Sequence, residues 1–457
     1  MSFSGLGVGQ SVDTTLAGLG ITVPTAVQRL VIPALIGGSS ATVVARTGSG
    51  KTLAYAIPLL TRVATWELEQ GPVTRHGRPR GLVLTSTREL VTQTTRVLKQ
   101  VAHQPKLRVR GLSGGMTPPE LSRALATPVD VVVANPSRVL SLCAEALAGR
   151  DSRFSLDDLR IVVVDEADTL LAPGTRPEIE GLLVSLPPQV QLIFISATLP
   201  EPIRHFVSTH STRPILLLAK DAHTAPERVT VKNLDVPRRG RPESLEPQRL
   251  DTLDDVLAKT KGRGMVFANR RESAEALGVA LRERGFEVAV MEGAMAPTER
   301  RKVFRNFCAG TPRILVTTEL GGRGIDVGDL EFVVNFELPP RVSEYLHRVG
   351  RVGRQGRVGH VFNLVGPEDA AFLAEIKRLS RGGKLDTGEA QRGARQRKPK
   401  AQMAAEAALR AARQSRPAPA ARDTRPSRPA QGGRDAAPEQ PRGGAPGGRR
   451  GRNRNQG

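Results

Sequence analysis

Cysteine is scarce in this sequence, and its scarcity limits the kinds of protein that the chain can be. The 457 residues include two cysteines, Cys143 and Cys308. Two thiols exclude a disulfide framework and a cysteine-rich zinc site, and they indicate a reducing compartment. Long apolar runs are also missing, since none reaches the roughly 18 residues that a membrane span needs. The first residues lack the charged and apolar regions of a signal peptide. We therefore expect a cytoplasmic protein without membrane association.

Acidic residues are outnumbered by basic ones, and the chain carries a formal net charge of +22. From residue 381 onward there are 19 Lys and Arg against 6 Asp and Glu, a net charge of +13, which leaves +9 for the preceding residues. Because both parts are basic, a polyanionic partner is expected. Nucleic acid fits better than a membrane surface, since the sequence has no basic amphipathic helix with aromatic anchors.

Short apolar runs alternate with helical patterns in two long parts of the chain. The runs show no polar alternation, which is typical of parallel strands buried on both faces. This order predicts an α/β protein with two parallel-sheet domains. Residues 221–249, which are rich in Pro, Arg and Glu, interrupt this order. They are expected to form either a domain linker or an irregular strand and loop. We assign the first domain to 1–220, the linker to 221–249 and the second domain to 250–375.

The composition changes again in residues 376–457, which are rich in Arg, Gly, Pro and Ala. From residue 381 this segment has no aromatic residue and cannot bury enough surface to offset chain entropy, so we predict a disordered basic tail. Two roles are open for it. Its Arg- and Gly-rich end resembles disordered segments that bind RNA nonspecifically, which implies a tether for RNA near the core with strong salt dependence. The alternative is that it only keeps the protein soluble.

Residues 45–52, with the sequence ARTGSGKT, stand between a predicted strand and a predicted helix. This context favours a phosphate-binding loop over a chance turn, since glycines let backbone N–H groups surround phosphate oxygens at a helix N-terminus. We expect Lys51 to reach the β- and γ-phosphates and Thr52 to bind Mg²⁺. The predicted nucleotide contacts in this loop are Ala45, Arg46, Thr47, Gly48, Ser49, Gly50, Lys51 and Thr52.

Residues 161–168, with the sequence IVVVDEAD, form an apolar strand that ends in carboxylates. Asp165 is placed to hold Mg²⁺, and Glu166 is placed to orient or deprotonate the attacking water. Acidic residues also suit the first turn of an ordinary helix. The phosphate-binding loop upstream in the same α/β unit favours the catalytic interpretation.

The sequence DEAD at 165–168 resembles the signature of the DEAD-box RNA helicases of superfamily 2, and the other motifs of that family follow in order over about residues 3–375. The resemblance implies two tandem RecA-like domains and an RNA-stimulated ATP hydrolase. Such an enzyme uses ATP and Mg²⁺ to unwind short RNA duplexes, or to remodel RNA and RNA–protein complexes, by domain closure and with little sequence specificity. Implied partners are single-stranded and short duplex RNA, within ribosomal or ribonucleoprotein complexes, and a monomeric core is expected.

Residues 20–28 resemble the Q motif of the family. The resemblance implies that Gln28 reads the adenine edge, because its amide offers a donor and an acceptor together. It also implies that Phe3 packs near the base. The alternative is that Gln28 is an ordinary helix residue after a Pro-Thr start.

Residues 196–198, with the sequence SAT, resemble the motif that couples hydrolysis to strand separation. The resemblance implies hydrogen bonds from these hydroxyls to the acidic cluster and to the second domain. The implied coupling residues are Asp168, Ser196, Thr198 and His347.

Three segments of the first domain resemble RNA-facing loops, namely 85–90, 113–115 and 134–138. Their Thr, Arg and backbone N–H groups suit contacts with phosphate and sugar. The implied RNA contacts are Thr87, Arg88, Gly114, Gly115, Asn135 and Arg138. The family usually has Pro at 86, Thr at 135 and Gly at 137, where this chain has Ser86, Asn135 and Ser137.

The second domain carries further motifs of the family. Arg300 and Thr317 match RNA-contacting positions, and Asp326 matches a position that contacts the nucleotide ribose. Residues 347–354, HRVGRVGR, present three arginines at three-residue spacing, which can project toward a phosphate chain. The resemblance implies that Arg351 and Arg354 are catalytic fingers on the γ-phosphate. Departures from the family pattern in this domain are Glu319, Gly321, Gly322 and Val352.

The predicted catalytic groups are divided between the domains. Lys51 and Glu166 lie on the first and Arg351 and Arg354 on the second, so hydrolysis is expected to need domain closure. Two other functions are weighed against this one. A DNA-directed helicase of the same superfamily is disfavoured by the DEAD and Q motifs, and a non-enzymatic RNA scaffold is disfavoured because these four residues are present.

Overall fold

The computed structural model describes residues 2–73, 75–148, 154–211, 213–219, 222, 228–238, 245–293, 295–319, 330–353 and 357–380. All of these residues belong to one compact unit, Met1–Ser415. Within this unit the chain forms two lobes, each built on a parallel β-sheet. The tail was predicted to begin at residue 376, but the last described helix, Ala370–Ser380, continues past that position. Residues 381–457, together with Gly321, Gly322, Asp326 and Arg354, lie outside the described residues.

The first lobe is organised around a parallel sheet. Its strands are β1 Ala41–Val44, β2 Gly81–Leu84, β3 Val109–Leu112, β4 Val131–Ala134, β5 Ile161–Val164, β6 Gln191–Ser196 and β7 Ile215–Leu218. They are ordered β3-β4-β2-β5-β6-β1-β7. The helices of this lobe are α1 Gln10–Gly18, α2 Ala26–Ile36, α3 Lys51–Gln70, α4 Arg88–Val101, α5 Pro118–Leu125, α6 Pro136–Leu147, α7 Ala167–Leu170, α8 Arg176–Val184 and α9 Glu201–His210.

Successive residues of each central strand enter the cores on opposite faces of this sheet. In β2, Val83 packs into one apolar cluster, while Leu82 and Leu84 pack into the other. All three are fully buried. The unbroken apolar runs of the sequence therefore reflect strands that are covered by helices on both sides.

The second lobe has a smaller parallel sheet. Its strands are β8 Val229–Asp235, β9 Gly264–Phe267, β10 Val288–Met291, β11 Ile314–Thr317, β12 Phe332–Asn335 and β13 Gly359–Val365. They are ordered β10-β11-β9-β12-β13-β8. The helices of this lobe are α10 Pro247–Lys259, α11 Arg271–Glu283, α12 Pro297–Cys308, α13 Val342–Val349 and α14 Ala370–Ser380.

Strand β8 lies inside the segment that we predicted as a linker, and it pairs in parallel with β13 over its whole length. The strand alternative for that segment therefore holds in part, and the second sheet begins before residue 250. Because β8 is an edge strand with mostly exposed or half-exposed residues, it lacks the continuous apolar run that identifies a central strand.

The parallel order brings several functional segments to one edge of the first sheet, because all its strands end on the same side. The phosphate-binding loop follows β1, the 85–90 segment follows β2, and the acidic cluster follows β5. The 134–138 segment follows β4, and the SAT motif overlaps the end of β6. In the part of the chain that the structure describes, no helix is both long and apolar enough to cross a membrane.

Candidate active site

The loop between β1 and α3 forms a cradle of backbone amides. Gly48 and Gly50 have φ angles of 78° and 91°, in the left-handed region that favours glycine. Gly50 precedes α3 without a side-chain cap, so the first N–H groups of the helix keep their capacity to bind a ligand. A Cβ at Gly50 would lie 2.8 Å from Gln28 Nε2. Amide donors at a helix N-terminus suit the phosphates of a nucleotide.

The Lys51 side chain is half-buried at the start of α3. Its Nζ donates a hydrogen bond to the Ala45 carbonyl oxygen at 2.8 Å. Burial lowers the pKa of Lys51, and the carboxylates after β5 oppose that shift, in the order Asp168, Asp165 and Glu166. The lysine is therefore held against the loop while remaining within electrostatic reach of the acidic cluster.

Asp165 is buried at the tip of β5. Tyr55 Oη donates a hydrogen bond to Asp165 Oδ2 at 2.8 Å, and the Glu166 N–H donates to Oδ1 at 2.9 Å. Burial, and next to it the charge of Glu166, raises the pKa of Asp165 to about 6. A cation beside this carboxylate would offset the cost of burying its charge.

Tyr55 is a residue of the site that our sequence reasoning missed. Its hydroxyl group donates to Asp165. Burial and the charge of Asp165 raise the pKa of Tyr55, while the nearby side chains of Thr94 and Thr52 oppose that shift, so the tyrosine lies near both predicted Mg²⁺ ligands. The sequence carried a signal, since Thr52 and Tyr55 are three residues apart and share one face of α3. A threonine hydroxyl and a buried carboxylate are hard oxygen donors, and they fit a Mg²⁺ ion that also binds nucleotide phosphates.

Glu166 adopts a backbone conformation that is rare for a residue with a side chain. Its φ angle is 52° and its ψ angle is 50°, a left-handed conformation that costs energy and persists where the surroundings impose it. The carboxylate accepts a hydrogen bond from Ser86 Oγ, with 2.8 Å between Oγ and Oε2. Glu166 is therefore held by the segment after β2.

Gln28 forms a capping box at the start of α2. The Thr25 N–H donates to Gln28 Oε1 at 2.9 Å, and Gln28 Nε2 donates to the Gly50 carbonyl oxygen at 3.3 Å. One amide hydrogen and one oxygen lone pair keep their capacity for a further partner. Phe3 is almost fully buried in the apolar core of the first lobe.

The predicted coupling residues lie together at the boundary between the lobes. Thr198 Oγ1 donates a hydrogen bond to Asp168 Oδ2 at 3.1 Å. His347 of the second lobe approaches the same carboxylate, with 4.0 Å between Nε2 and Oδ2. Ser196 Oγ donates instead to the Thr198 carbonyl oxygen at 2.5 Å. Asp168 thus receives contacts from both lobes, while Ser196 holds the shape of its own turn.

The phosphate-binding loop also touches the second lobe directly. Thr47 Oγ1 donates a hydrogen bond to the Leu346 carbonyl oxygen at 3.2 Å. Gly350, directly after α13, packs so closely on the loop that a Cβ there would lie 1.4 Å from Thr47 Oγ1. Arg351 is the next residue, and its N–H donates to the Arg348 carbonyl oxygen. The arginine motif therefore begins against the loop.

Arg348 differs from the prediction that all three arginines of the motif project toward phosphate. Its side chain is buried within the second lobe and binds four groups at the ends of the strands. The acceptors are Glu319 Oε2, Asn335 Oδ1, the Glu337 carbonyl oxygen and Asn269 Oδ1. The expectation is therefore wrong for Arg348, since these contacts make it a brace within its own lobe.

The predicted RNA-facing loops of the first lobe are held to one another. The Arg88 guanidinium group lies over Gly115, where a Cβ would be 2.2 Å from Cζ, while the space around Gly114 is open. Arg138 Nε donates to the Ser113 carbonyl oxygen at 3.2 Å. Thr87 caps α4, with its hydroxyl oxygen accepting from the Leu90 N–H.

Two predicted RNA contacts have side chains that are turned inward. Asn135 is buried, and its Nδ2 donates to the Thr85 carbonyl oxygen at 2.9 Å. Thr317 is fully buried, and its hydroxyl donates to the Met291 carbonyl oxygen at 2.7 Å. In this structure both side chains brace strand ends. Arg300 instead spans the lobes, with 3.6 Å between Nη2 and Glu89 Oε1.

Two family models match the chain. The DEAD/DEAH box helicase model matches residues 25–206, and the helicase conserved C-terminal domain model matches residues 248–356. The chain is 32% identical to the RNA helicase CrhR of Synechocystis sp., over 82% of this chain and 72% of that protein. It is 29% identical to the ATP-dependent RNA helicase eIF4A of Kluyveromyces lactis, over 83% of this chain and 90% of that protein.

A solved structure has the same fold. The S. cerevisiae protein Dbp5, bound to RNA and ADP BeF3, superposes with a TM-score of 0.70 at 22% identity, over 89% of this chain and 99% of that chain. Two parallel-sheet lobes that meet at a phosphate-binding loop define a helicase-type nucleoside triphosphatase. The chain belongs to the DEAD-box family of ATP-dependent RNA helicases. The predicted family, fold class and enzyme class are thereby confirmed.

Proposed function

We propose that this protein hydrolyses ATP to ADP and phosphate in order to unwind short RNA duplexes or to remodel RNA and RNA–protein complexes. The observation that carries the proposal is the contact of the phosphate-binding loop with the second lobe at the arginine motif. Thr47 donates to the carbonyl oxygen of Leu346, just before the motif, and Gly350 of the motif packs on Thr47. A nucleotide in this loop lies at the boundary between the lobes. Its presence therefore favours the closed arrangement, and closure completes the catalytic site.

In this proposal the first lobe binds the nucleotide and activates water. Lys51 binds the β- and γ-phosphates, and Gln28 uses its remaining amide capacity on the adenine edge. Thr52 and Asp165 would hold Mg²⁺, which would neutralise charge at the phosphates when bound. Glu166 orients the attacking water or accepts its proton.

The second lobe stabilises the charge that develops on the transferred phosphoryl group. Arg351 is assigned to this role because it follows the contact of Gly350 with the loop. Arg354 and Asp326 are proposed as a second arginine finger and a ribose contact, on the resemblance to the family alone. Guanidinium groups suit this task because they present several donors in a fixed plane.

RNA is proposed to bind across both lobes and to favour the same closed state as ATP. Contacts along the sugar–phosphate backbone carry little sequence information, so the core has weak sequence preference. The 2′-hydroxyl groups distinguish RNA from DNA. Because both ligands favour closure, each should tighten the binding of the other.

Three further assignments accompany this function. We propose a monomeric core, with ribonucleoprotein complexes as its setting. A cytoplasmic location is supported by the low cysteine content. For the domains, we propose that the second one includes β8, because that strand belongs to its sheet.

The proposal predicts that RNA, and not DNA, stimulates hydrolysis of ATP. The measurement is steady-state phosphate release with no nucleic acid, with single-stranded RNA and with DNA of the same sequence. The control is Lys51→Ala, which should remove the activity and so assign it to this loop. Equal stimulation by DNA would favour a DNA-directed helicase, and no turnover under any condition would favour a non-enzymatic RNA scaffold.

A further inference from the structure

An open groove runs along the side of the first lobe, and no residue of the phosphate-binding loop lines it. It lies between α1, α4 and β3 and has a volume of about 840 Å³. We call it the α4 groove, and its polar lining includes Thr14, Thr92, Arg96, Lys99, His103 and Ser113. Of the described residues that line it, none is acidic. A groove with cations and hydroxyl groups and without carboxylates is suited to an anionic chain.

The α4 groove has two cations on one helix face. Arg96 and Lys99 are three residues apart on α4, a spacing that aligns side chains along a helix. Both are exposed, as is His103, which lies just after α4 ends at Val101. A second, smaller hollow of about 310 Å³ shares Lys99 and His103 and continues past Lys106 and Arg110. The positive surface therefore extends along the lobe.

The groove begins at the predicted RNA-facing loops. Ser113 belongs to the 113–115 loop and also lines the groove. Thr92, which lines it from α4, donates a hydrogen bond to the carbonyl oxygen of Arg88 one turn earlier. A strand that leaves Arg88 and Gly114 therefore meets this groove next.

We propose that the α4 groove is an outer part of the RNA path, which holds the sugar–phosphate backbone of the strand after it leaves the loops of the first lobe. This inference rests on the proposed function and extends the RNA site beyond the segments that the sequence motifs mark. The positive charge favours the phosphates, and the Ser113 hydroxyl group suits contact with phosphate or sugar. Thr14 and Thr92 donate their hydroxyl hydrogens to carbonyl oxygens of their own helices, so their oxygens suit a hydrogen bond from a 2′-hydroxyl group.

The test is the double substitution Arg96→Gln with Lys99→Gln, assayed with RNA of increasing length. Affinity for RNA that is just long enough to saturate the ATPase should be unchanged, while affinity for longer RNA should fall. The slope of log affinity against log salt should decrease by about 1.4 for longer RNA, since each phosphate contact on a single strand contributes about 0.7. The matched control is Lys259→Gln with Arg282→Gln, which removes the same charge from exposed positions of the second lobe.

Equal affinity of the Arg96/Lys99 variant and the wild type for longer RNA would overturn the inference. A loss that does not depend on RNA length, or an equal loss in the control, would also overturn it. If wild type shows RNA-stimulated hydrolysis and the variant shows no length effect, the α4 groove takes another anionic partner, such as an acidic protein segment, and the proposed function stands.

A second inference concerns Ser86, whose hydroxyl group donates a hydrogen bond to Glu166. Strands β2 and β5 are paired in parallel with Leu84 opposite Val164. Ser86 and Glu166 each follow by two residues, so this register brings them together where the strands end. Their hydrogen bond of 2.8 Å joins the 85–90 segment to the predicted water-activating carboxylate. This chain has serine where the family usually has proline, which offers no hydroxyl group.

We infer that Ser86 is a positioning residue for Glu166. The donated hydrogen bond selects one orientation of the carboxylate, so that its other oxygen remains available to the attacking water. Ser86 also precedes Thr87 and Arg88, which are proposed RNA contacts. Binding of RNA to these neighbours would steady the segment that holds the carboxylate, and this links RNA to hydrolysis without a change at the phosphate-binding loop.

The test compares Ser86→Ala with Ser86→Thr in RNA-stimulated ATPase assays. Loss of a hydrogen bond to a charged group should lower kcat about tenfold, while the KM for ATP stays constant because the nucleotide contacts are intact. Ser86→Thr keeps the hydroxyl group and should restore most of kcat. An unchanged kcat in Ser86→Ala, or equal losses in both variants, would refute the positioning role. The variant Glu166→Gln distinguishes failure of the positioning role from failure of the proposed function, because full activity in Glu166→Gln would refute the proposed function itself.

Discussion

Replacing Glu166 with glutamine should stop ATP turnover and leave a protein that still binds ATP and RNA together. Glutamine has nearly the same shape, and its side-chain oxygen can still accept the hydrogen bond from Ser86. It cannot accept a proton, so the contribution of general base catalysis is lost, which is about 10²–10⁴-fold in rate. The measurements are phosphate release and retention of a labelled RNA in the presence of ATP.

A matched control for this variant is Glu201→Gln, which changes an exposed glutamate of the same lobe that is paired with Arg204. This control should hydrolyse ATP at the wild-type rate. The proposed mechanism would be wrong if Glu166→Gln kept normal turnover. It would also be wrong if that variant lost the binding of ATP, because Glu166 would then hold the nucleotide.

Replacing Arg351 with alanine should reduce kcat by about 10³–10⁵-fold, the range over which an arginine finger acts in phosphoryl transfer. Arg351 lies directly after Gly350, which packs on Thr47 of the phosphate-binding loop. The loop itself belongs to the first lobe, so the affinity for ATP in the absence of RNA should change little. Single-turnover hydrolysis and equilibrium binding of ATP would separate the two effects.

Two comparisons sharpen the test of Arg351. Arg351→Lys keeps the charge and loses the planar fork of donors, so it should restore only part of the rate. Arg282→Ala removes an exposed arginine of the same lobe and should be neutral. Full activity of Arg351→Ala would contradict the proposed role of the second lobe in catalysis.

Much of the architecture follows from local patterns. Unbroken apolar runs predicted the central strands, because a strand that is buried on both faces needs apolar residues at every position. The segment that contains β8 was predicted as either a linker or an irregular strand and loop. An edge strand with exposed residues does not need an apolar residue at every position, so its sequence does not identify it.

Part of the predicted site rests on a backbone conformation that favours one kind of residue. Gly48 and Gly50 have left-handed φ angles, which favour glycine. Tyr55 was not predicted as a site residue because its hydrogen-bond partner, Asp165, is distant in sequence and adjacent only in the folded chain. Ser86 contacts Glu166 only because the register of β2 and β5 places the two residues side by side.

The family and the enzyme class were readable from the sequence alone, because the motifs of the family are short runs of particular residues that follow in order along the chain. The tertiary structure decided which of the polar side chains are turned inward. It buried Arg348, Asn135 and Thr317 as braces at strand ends, where their polar groups satisfy other buried polar groups. A short motif does not reveal which way its side chains point, because that direction is set by packing between segments that are far apart in the chain.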